Sequence, residues 1–146
     1  MTEITVGTKM TDGSIYAGLT PDGPDGKRRI FAMPQDLSVT MAFNEAVKAV
    51  RKLNAENALG HNDWQLPALE NLWVLHKNQE EGALKGTFNK ASPNSPSDCR
   101  DCYWSATRTD DKTEVYAVSF SENLDDSFRK AGYQMSVRPV RLEPVQ

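Results

Sequence analysis

The sequence lacks the long apolar segments of a membrane protein or a secreted precursor. No stretch reaches the roughly 18 successive apolar residues that a membrane-spanning helix needs, so no membrane span is expected. The N-terminus, MTEITVGTKMTDG, has no basic start followed by an apolar block, so no secretory signal is predicted. These absences favour a cytoplasmic protein, unless a leader was removed or another export route is used.

Cysteine and basic charge are also scarce. Two cysteines in 146 residues are too few for a disulfide scaffold. A net charge of −3 argues against the basic face that duplex-binding domains usually carry, so no duplex nucleic acid partner is expected. Hydrophobic residues make up 38% and charged residues 25%, which indicates a globular chain. Its length suits one domain over residues 1–146.

The motifs of common enzyme chemistries are missing. The chain contains no G-x-S-x-G, no Walker loop and no G-x-G-x-x-G. His61 and His76 are its only histidines, which leaves few nitrogen ligands for a zinc site. Paired carboxylates such as Asp110 with Asp111 stand in turn-forming segments, where such pairs are usually solvated. No cofactor is therefore expected, and binding is favoured over catalysis.

Periodicity predicts the secondary structure. Apolar residues recur every three or four positions in two central segments, which predicts two helices. The first helix has its apolar stripe at Phe43, Ala46, Val47, Val50 and Leu53, and the second begins near Pro67, with its stripe at Leu69, Leu72, Trp73 and His76. Strands are predicted at Gly13–Leu19, Arg28–Met33, Cys102–Thr107, Glu114–Phe120 and Gln134–Leu142. Strands followed by helices and more strands indicate an α+β fold.

The two cysteines lie close together, in DCRDCYWSATRTDD, which leaves several interpretations open. The spacing of Cys99 and Cys102 is that of metal ligands, but a structural zinc site usually needs two such pairs. A redox pair would stand at a helix N-terminus, whereas this pair precedes a predicted strand. A loop disulfide would need an oxidising compartment. Two inert thiols are the favoured interpretation.

The aromatic residues divide into core and surface candidates. Trp64, Trp73 and Trp104 stand at element starts or on apolar stripes, which favours core packing. Tyr103 and Tyr116 are predicted to be partly exposed, because a tyrosine ring can bind a sugar or a protein while its hydroxyl stays wet. With Arg108, Asp110 and Asp111 in the following turn, these two tyrosines form the candidate binding residues.

Four segments in order carry a family resemblance: GHNDWQLP (Gly60–Pro67), YWSAT (Tyr103–Thr107), YAVSF (Tyr116–Phe120) and VRPVR (Val137–Arg141). The chain resembles a bacterial and phage domain family of unknown function that also forms the C-terminal domain of a collagen-like adhesin. The resemblance implies a fold like that of C-type lectins and formylglycine-generating enzymes. Such a fold has two helices packed on a twisted antiparallel sheet, with long irregular loops.

The resemblance also implies structural roles. Asp63, Trp64 and Pro67 would fix the entry to the second helix, and Trp104 would fill the core. Arg138 and Arg141 would pair with backbone or acidic groups.

Two departures from the family pattern affect the second helix. Gln65 stands where the family often has arginine, and Ala68 where it often has threonine. An arginine's ion pair and a threonine's helix cap must therefore come from other residues or be absent. The Glu-Pro-Asn signature of calcium-dependent lectins is missing, so calcium-dependent sugar binding is not supported.

Three functions remain open from the sequence. The favoured one is a non-enzymatic, adhesin-like binding module, phage- or surface-associated, that presents Thr20–Lys27, Phe88–Cys102 and Arg108–Lys112 to a protein or carbohydrate partner. The second is a thiol- or metal-dependent enzyme centred on Cys99 and Cys102. The third is a structural subunit that assembles with itself or with another particle protein.

Overall fold

The chain folds into strands and helices in the order β-β-α-α-β-β-β-β-β. A computed structural model describes residues 3–21, 26–121 and 126–145, and for residues 126–129 only the backbone. Within these ranges the two α-helices are α1 (Phe43–Ala55) and α2 (Leu69–Lys77), with short 3-10 helices at Ala58–Gly60 and Gly82–Leu84. The strands are β1 (Ile15–Leu19), β2 (Arg28–Ala32), β3 (Asp98–Arg108), β4 (Glu114–Ser119), β5 (Asp126–Lys130), β6 (Gln134–Ser136) and β7 (Val140–Pro144).

The described strands form two sheets rather than the single antiparallel sheet that the family resemblance implied. One sheet has the order β1-β2-β7 and the other β5-β4-β3-β6. Every pair of neighbouring strands is antiparallel except β3 and β6, which run parallel. The α+β class is confirmed, and the expectation of one antiparallel sheet is wrong.

The central strands β3 and β4 are covered on both faces, as their apolar composition predicts. Alternate residues of these strands enter different core clusters, with Tyr103 and Val118 in one and Trp104 and Ala117 in the other. The first cluster also contains residues of α2, β1 and β2, and the second contains residues of α1. The larger sheet therefore lies between α1 on one side and α2 with the smaller sheet on the other.

Helix α1 uses the predicted stripe. Phe43, Ala46 and Val50 are buried, and Val47 and Leu53 pack against the same cluster. The edge of the Phe43 ring meets Trp104 at a centroid distance of 5.7 Å. Trp104 is fully buried, and its indole N–H donates to the carbonyl of Met41 at 2.8 Å, just before the helix. Its polar atom is thus satisfied inside the core.

Helix α2 begins at Leu69, two residues after Pro67, with Ala68 as the capping residue. Alanine has no side-chain acceptor, but the hydroxyl oxygen of Thr107 on β3 accepts the Leu69 N–H at 3.0 Å. The Asn71 side chain accepts the Ala68 N–H, also at 3.0 Å. A residue 38 positions away therefore supplies the cap that Ala68 cannot provide.

The apolar face of α2 differs from the predicted stripe. Leu69, Leu72 and Leu75 are buried, whereas Trp73 is 37% exposed. The prediction that Trp73 packs in the core is wrong, because the helix turns its Leu75 side towards the sheets instead. The predicted stripe shared Leu69 and Leu72 with the buried face but continued through Trp73, whereas the buried face continues to Leu75.

The predicted strand Gln134–Leu142 is two strands in different sheets. Arg138 and Pro139 lie between β6 and β7, and Pro139 has no N–H to donate to a ladder. The carbonyls of Val137 and Pro139 accept the N–H groups of Leu37 and Met33, each at 3.0 Å. The connection between the sheets is thus held by the segment after β2. The predicted loop Thr20–Lys27 contains residues 22–25, which lie outside the described residues.

A membrane-spanning role finds no support in the helices. None of those in the described ranges combines the length and the apolar character needed to cross a bilayer.

Candidate functional site

A polar cleft of about 600 Å³ opens between the segment after β2 and the segment after the second 3-10 helix. We call it the Asp36 cleft. Its volume is in the range of small-ligand sites. Four apolar side chains contribute to its walls, but most of the lining side chains can form hydrogen bonds, namely those of Lys9, Gln35, Asp36, Ser38, Thr87 and Asn89.

The floor of the cleft is a buried network around the Asp36 carboxylate. One carboxylate oxygen accepts the Arg138 Nε–H at 2.8 Å, and the other accepts the Tyr103 hydroxyl. The Tyr103 oxygen in turn accepts the Asn89 N–H at 2.6 Å. Arg138 and Tyr103 are fully buried, whereas the Asp36 side chain stays 15% exposed. The network therefore presents one carboxylate to the cleft and fixes it from behind.

Arg138 ties the two walls of the cleft together. Its guanidinium donates to the carbonyl of Met33 on one side at 3.2 Å and to that of Thr87 on the other at 2.5 Å. The Phe88 ring covers the guanidinium at 4.1 Å from its centroid and stacks on Phe120 at 4.6 Å. A planar cation with several donors can satisfy this many acceptors at once.

Burial changes the proton affinity of two groups in the network. It raises the pKa of the Asp36 carboxyl, and this effect outweighs Arg138 and the Tyr103 hydrogen bond, which lower it. Burial is also the main cause that raises the pKa of Tyr103, and the adjacent Asp36 carboxylate adds to it. Tyr103 therefore stays neutral and acts as a hydrogen-bond donor to Asp36.

Two glycines hold one wall of the cleft in place. Gly7 and Gly82 both have positive φ, 92° and 50°, and the Ala83 N–H donates to the Gly7 carbonyl at 2.8 Å. A Cβ on Gly82 would lie 2.7 Å from the Gly7 oxygen. Only glycine therefore allows the N-terminal segment to reach the 3-10 helix that begins the segment 82–89.

The residues predicted to bind a partner do not form one surface. Tyr103 is 0% exposed, so the prediction of a partly exposed ring there is wrong. Its hydroxyl finds buried partners in Asp36 and Asn89, which the sequence pattern does not reveal. Tyr116 is half-buried and packs against the first core cluster.

Arg108, Asp110 and Asp111 do lie together, at the turn between β3 and β4. The Asp111 carboxylate accepts the Thr109 hydroxyl at 2.7 Å and both the N–H and the hydroxyl of Thr113. These hydrogen bonds lower the pKa of Asp111 and shape the turn. Arg108 lies over the Phe43 ring, 4.7 Å from its centroid. The structure thus gives Asp111 and Arg108 structural contacts, and their part in binding stays a prediction.

The motif residues of the family resemblance have defined contacts. Arg141 pairs with Asp63 at 2.6 Å and with Glu143 at 3.0 Å. Trp64 is buried, as predicted, and its indole N–H donates to the Ala58 carbonyl at 2.8 Å. Asp63 and Trp64 therefore connect the segment before α2 to β7 and to the 3-10 helix that follows α1.

The cysteines lie inside the second core cluster. No disulfide joins Cys99 and Cys102, and both side chains, each 4% exposed, lie in the same core cluster as Trp104. The Cys99 thiol faces the Pro96 carbonyl at 3.4 Å. In the part of the chain that the structure describes, no group of three or more histidine, cysteine or acidic side chains could hold a metal ion. Thiols packed in this way behave as small apolar side chains.

Asp36 is the central cleft residue that the sequence analysis missed, whereas Asn89 lies in Phe88–Cys102, a segment predicted to contact a partner. Asp36 stands in PQDLSV, which has no periodicity and reads as a plain polar connection. The sequence did indicate indirectly that such a partner exists. An arginine between the apolar residues of VRPVR must be paired if its strand is buried. That signal predicts a carboxylate partner but does not say which of the 20 acidic residues it is.

Comparison with known proteins gives one family. The family model of the Lcl C-terminal domain, a bacterial domain family, matches residues 25–141. No curated protein matches the chain.

Proposed function

We propose that this chain, which belongs to the Lcl C-terminal domain family, is a non-enzymatic binding module that takes a hydroxyl-rich glycan in the Asp36 cleft. The observation that carries the proposal is the carboxylate of Asp36, which is partly exposed to the cleft while Arg138 and Tyr103 fix it from behind. A fixed acceptor costs little entropy on binding, because it is already ordered in the free protein.

The composition of the cleft favours a sugar over a protein surface. Sugar hydroxyls donate and accept, and the cleft offers both partners: Asp36 accepts, while Gln35 and Ser38 can do either. The Asn89 carboxamide oxygen accepts the Ala91 N–H at 2.9 Å, which leaves its NH₂ group as a donor. A protein hot spot would instead show an aromatic or apolar anchor pocket.

The network argues for binding rather than catalysis at this cleft. Both oxygens of Asp36 already accept hydrogen bonds, from the Arg138 Nε–H and the Tyr103 hydroxyl, which hold the carboxylate in one orientation as an acceptor for ligand hydroxyls. The thiols of Cys99 and Cys102 are buried in the second core cluster, where each side chain is only 4% exposed. The thiol enzyme considered from the sequence therefore gains no support from the described residues.

We further infer a C-type-lectin-like fold and an adhesin-like role for the domain. Two helices packed against antiparallel strands, with an irregular segment at residues 85–97, support the fold assignment. Irregular segments on a rigid scaffold are where such domains bind their partners.

An array of immobilised oligosaccharides tests the proposal. It would carry neutral chains of one to six sugars built from glucose, galactose, mannose or N-acetylglucosamine. We expect the wild type to bind members of the array, and Gln35→Ala/Ser38→Ala to weaken binding by about tenfold or more. Both side chains are exposed, so this variant should fold. The matched control is Glu45→Ala/Lys48→Ala on the exposed face of α1.

Two results would contradict the proposal. One is a wild-type protein that binds no glycan on the array. The other is an equal loss of binding in the cleft variant and in the α1 control, which would place the glycan elsewhere. Retention of a protein partner by a wild type that ignores all glycans would favour the protein-binding alternative.

A further inference from the structure

A second polar cleft, of about 620 Å³, lies between the end of α2 and the end of β4. We call it the Gln79 cleft. It shares a short segment of chain with the Asp36 cleft, since Asn89 lines the Asp36 cleft and Lys90 lines the Gln79 cleft. Consecutive Cα atoms are about 3.8 Å apart, so this one segment of chain borders both clefts.

The hydrogen-bonding direction of Gln79 is fixed from within the protein. Its side-chain N–H donates to the His76 carbonyl at 2.9 Å, which identifies the other end of the carboxamide as the oxygen. That oxygen is buried and has no hydrogen-bond partner among the described residues. A buried acceptor left without a donor is destabilising, so this end of Gln79 favours a bound donor.

Ser121 in the same cleft is fixed in a similar way. Its hydroxyl donates to the carboxylate of Asp101, which also accepts the Ser119 hydroxyl at 3.0 Å. Asp101 is only 6% exposed, and its second carboxylate oxygen has no hydrogen-bond partner in the described ranges. The proton of Ser121 thus points inward, and its oxygen can act only as an acceptor towards the cleft.

This arrangement does not resemble a catalytic serine. In a triad a histidine takes the serine proton, but here the Ser121 proton is bound directly to Asp101. The His76 ring packs edge-on against Phe120, with 5.3 Å between the centroids. The cleft therefore has the chemistry of recognition.

The charged groups of the cleft supply the complementary donors. Lys90 pairs with Glu80 at 3.0 Å, and Lys77 also lines the cleft. The positive charges of the two lysines equal the negative charges of the two carboxylates, Glu80 and the Asp101 behind Ser121. A cleft without net charge favours an uncharged ligand. A hydroxyl group can donate to Gln79 and Ser121 and accept from a lysine, so a polyol suits the cleft better than an anion or a metal ion.

We propose that the Gln79 cleft is a second subsite for the same glycan, taking sugar units next to the one in the Asp36 cleft. This inference rests on the proposed function. Gln79 and Ser121 accept hydroxyl protons of the ligand, and Asp101 positions Ser121. Gln79 lines the cleft as a half-buried side chain, and its oxygen is an acceptor without a hydrogen-bond partner among the described residues.

Affinity as a function of glycan length tests the subsite on the same array. For the wild type we expect chains long enough to reach both clefts to bind about tenfold or more tightly than single sugars. Gln79→Leu and Ser121→Ala should remove this gain while leaving single-sugar binding unchanged. Gln134→Leu on the exposed start of β6 is the matched control and should behave as the wild type.

The possible results distinguish a failure of the second subsite from a failure of the proposed function. A length-dependent gain that survives in both Gln79→Leu and Ser121→Ala, or a wild type with no gain, overturns the second subsite and leaves the Asp36 cleft in place. A wild type that binds no glycan overturns the proposed function, and the subsite with it. Thermal unfolding of each variant would show that a lost gain does not come from unfolding.

Discussion

Removing the hydroxyl of Tyr103 tests the network beneath the Asp36 cleft. Tyr103→Phe keeps the ring, which packs against Phe120 at 4.5 Å and Phe88 at 5.7 Å. It removes the hydroxyl that donates to Asp36 and accepts from the Asn89 N–H. Any loss of stability therefore measures these two hydrogen bonds and not the packing of the ring.

The size of the effect follows from the two bonds. A hydrogen bond to a charged group contributes about 1.5–3 kcal/mol, and a buried N–H left without a partner costs about 1–3 kcal/mol. Asn89 is half-buried, so its cost falls at the lower end of that range. We expect the free energy of unfolding to fall by about 2–4 kcal/mol in total. With a urea dependence of about 2 kcal/mol/M, the midpoint would fall by roughly 1–2 M.

Urea unfolding followed by tryptophan fluorescence would measure this change, with Tyr16→Phe as the control. Tyr16 is also buried, at 5% exposed, but its hydroxyl forms no hydrogen bond within the described residues. We expect the control to shift stability by less than about 0.5 kcal/mol. Equal effects of the two substitutions would refute the assignment of Tyr103 as a support of Asp36.

Three further predictions concern other parts of the fold. Thr107→Val should lower stability by about 0.5–2 kcal/mol by uncapping α2, and adding Ala68→Thr should restore part of the loss. The Arg141 hydrogen bond lowers the pKa of Asp63, so this carboxylate stabilises the fold above its unfolded pKa. Asp63→Asn should cost up to about 1 kcal/mol in urea unfolding at neutral pH and nothing once acid has protonated Asp63. Acrylamide should quench Trp73 but neither other tryptophan, a difference that Trp73→Phe should abolish.

Local patterns predicted the parts of the fold that depend on local contacts. The stripe of α1 is set by residues three and four apart, and the apolar composition of Glu114–Phe120 on both faces correctly predicted a central strand. The burial of Trp64 and Trp104 followed from their size and position, because a large ring removes much apolar area from water.

The cleft could not be predicted, because its parts come from distant segments. Asp36 and Arg138 are 102 positions apart, and Tyr103 and Asp36 are 67 apart. A polar residue in a connection and a tyrosine in a strand each look ordinary alone. The division of the last predicted strand into β6 and β7 could not be predicted for the same reason. The carbonyls of Val137 and Pro139 accept hydrogen bonds from the segment after β2, which is distant in sequence.

The pairing of β2 with β7 has a consequence for synthesis on the ribosome. Arg28 faces Pro144 in this ladder, so the early hairpin β1–β2 is completed only by a strand made much later. Throughout translation of the intervening chain, β2 keeps an open edge that neighbouring nascent chains or chaperones can occupy. Such distant pairing also slows folding, because a long loop must close first. The domain should therefore reach its native state after translation of β7, and a pause before that point would lengthen its exposure to misassembly.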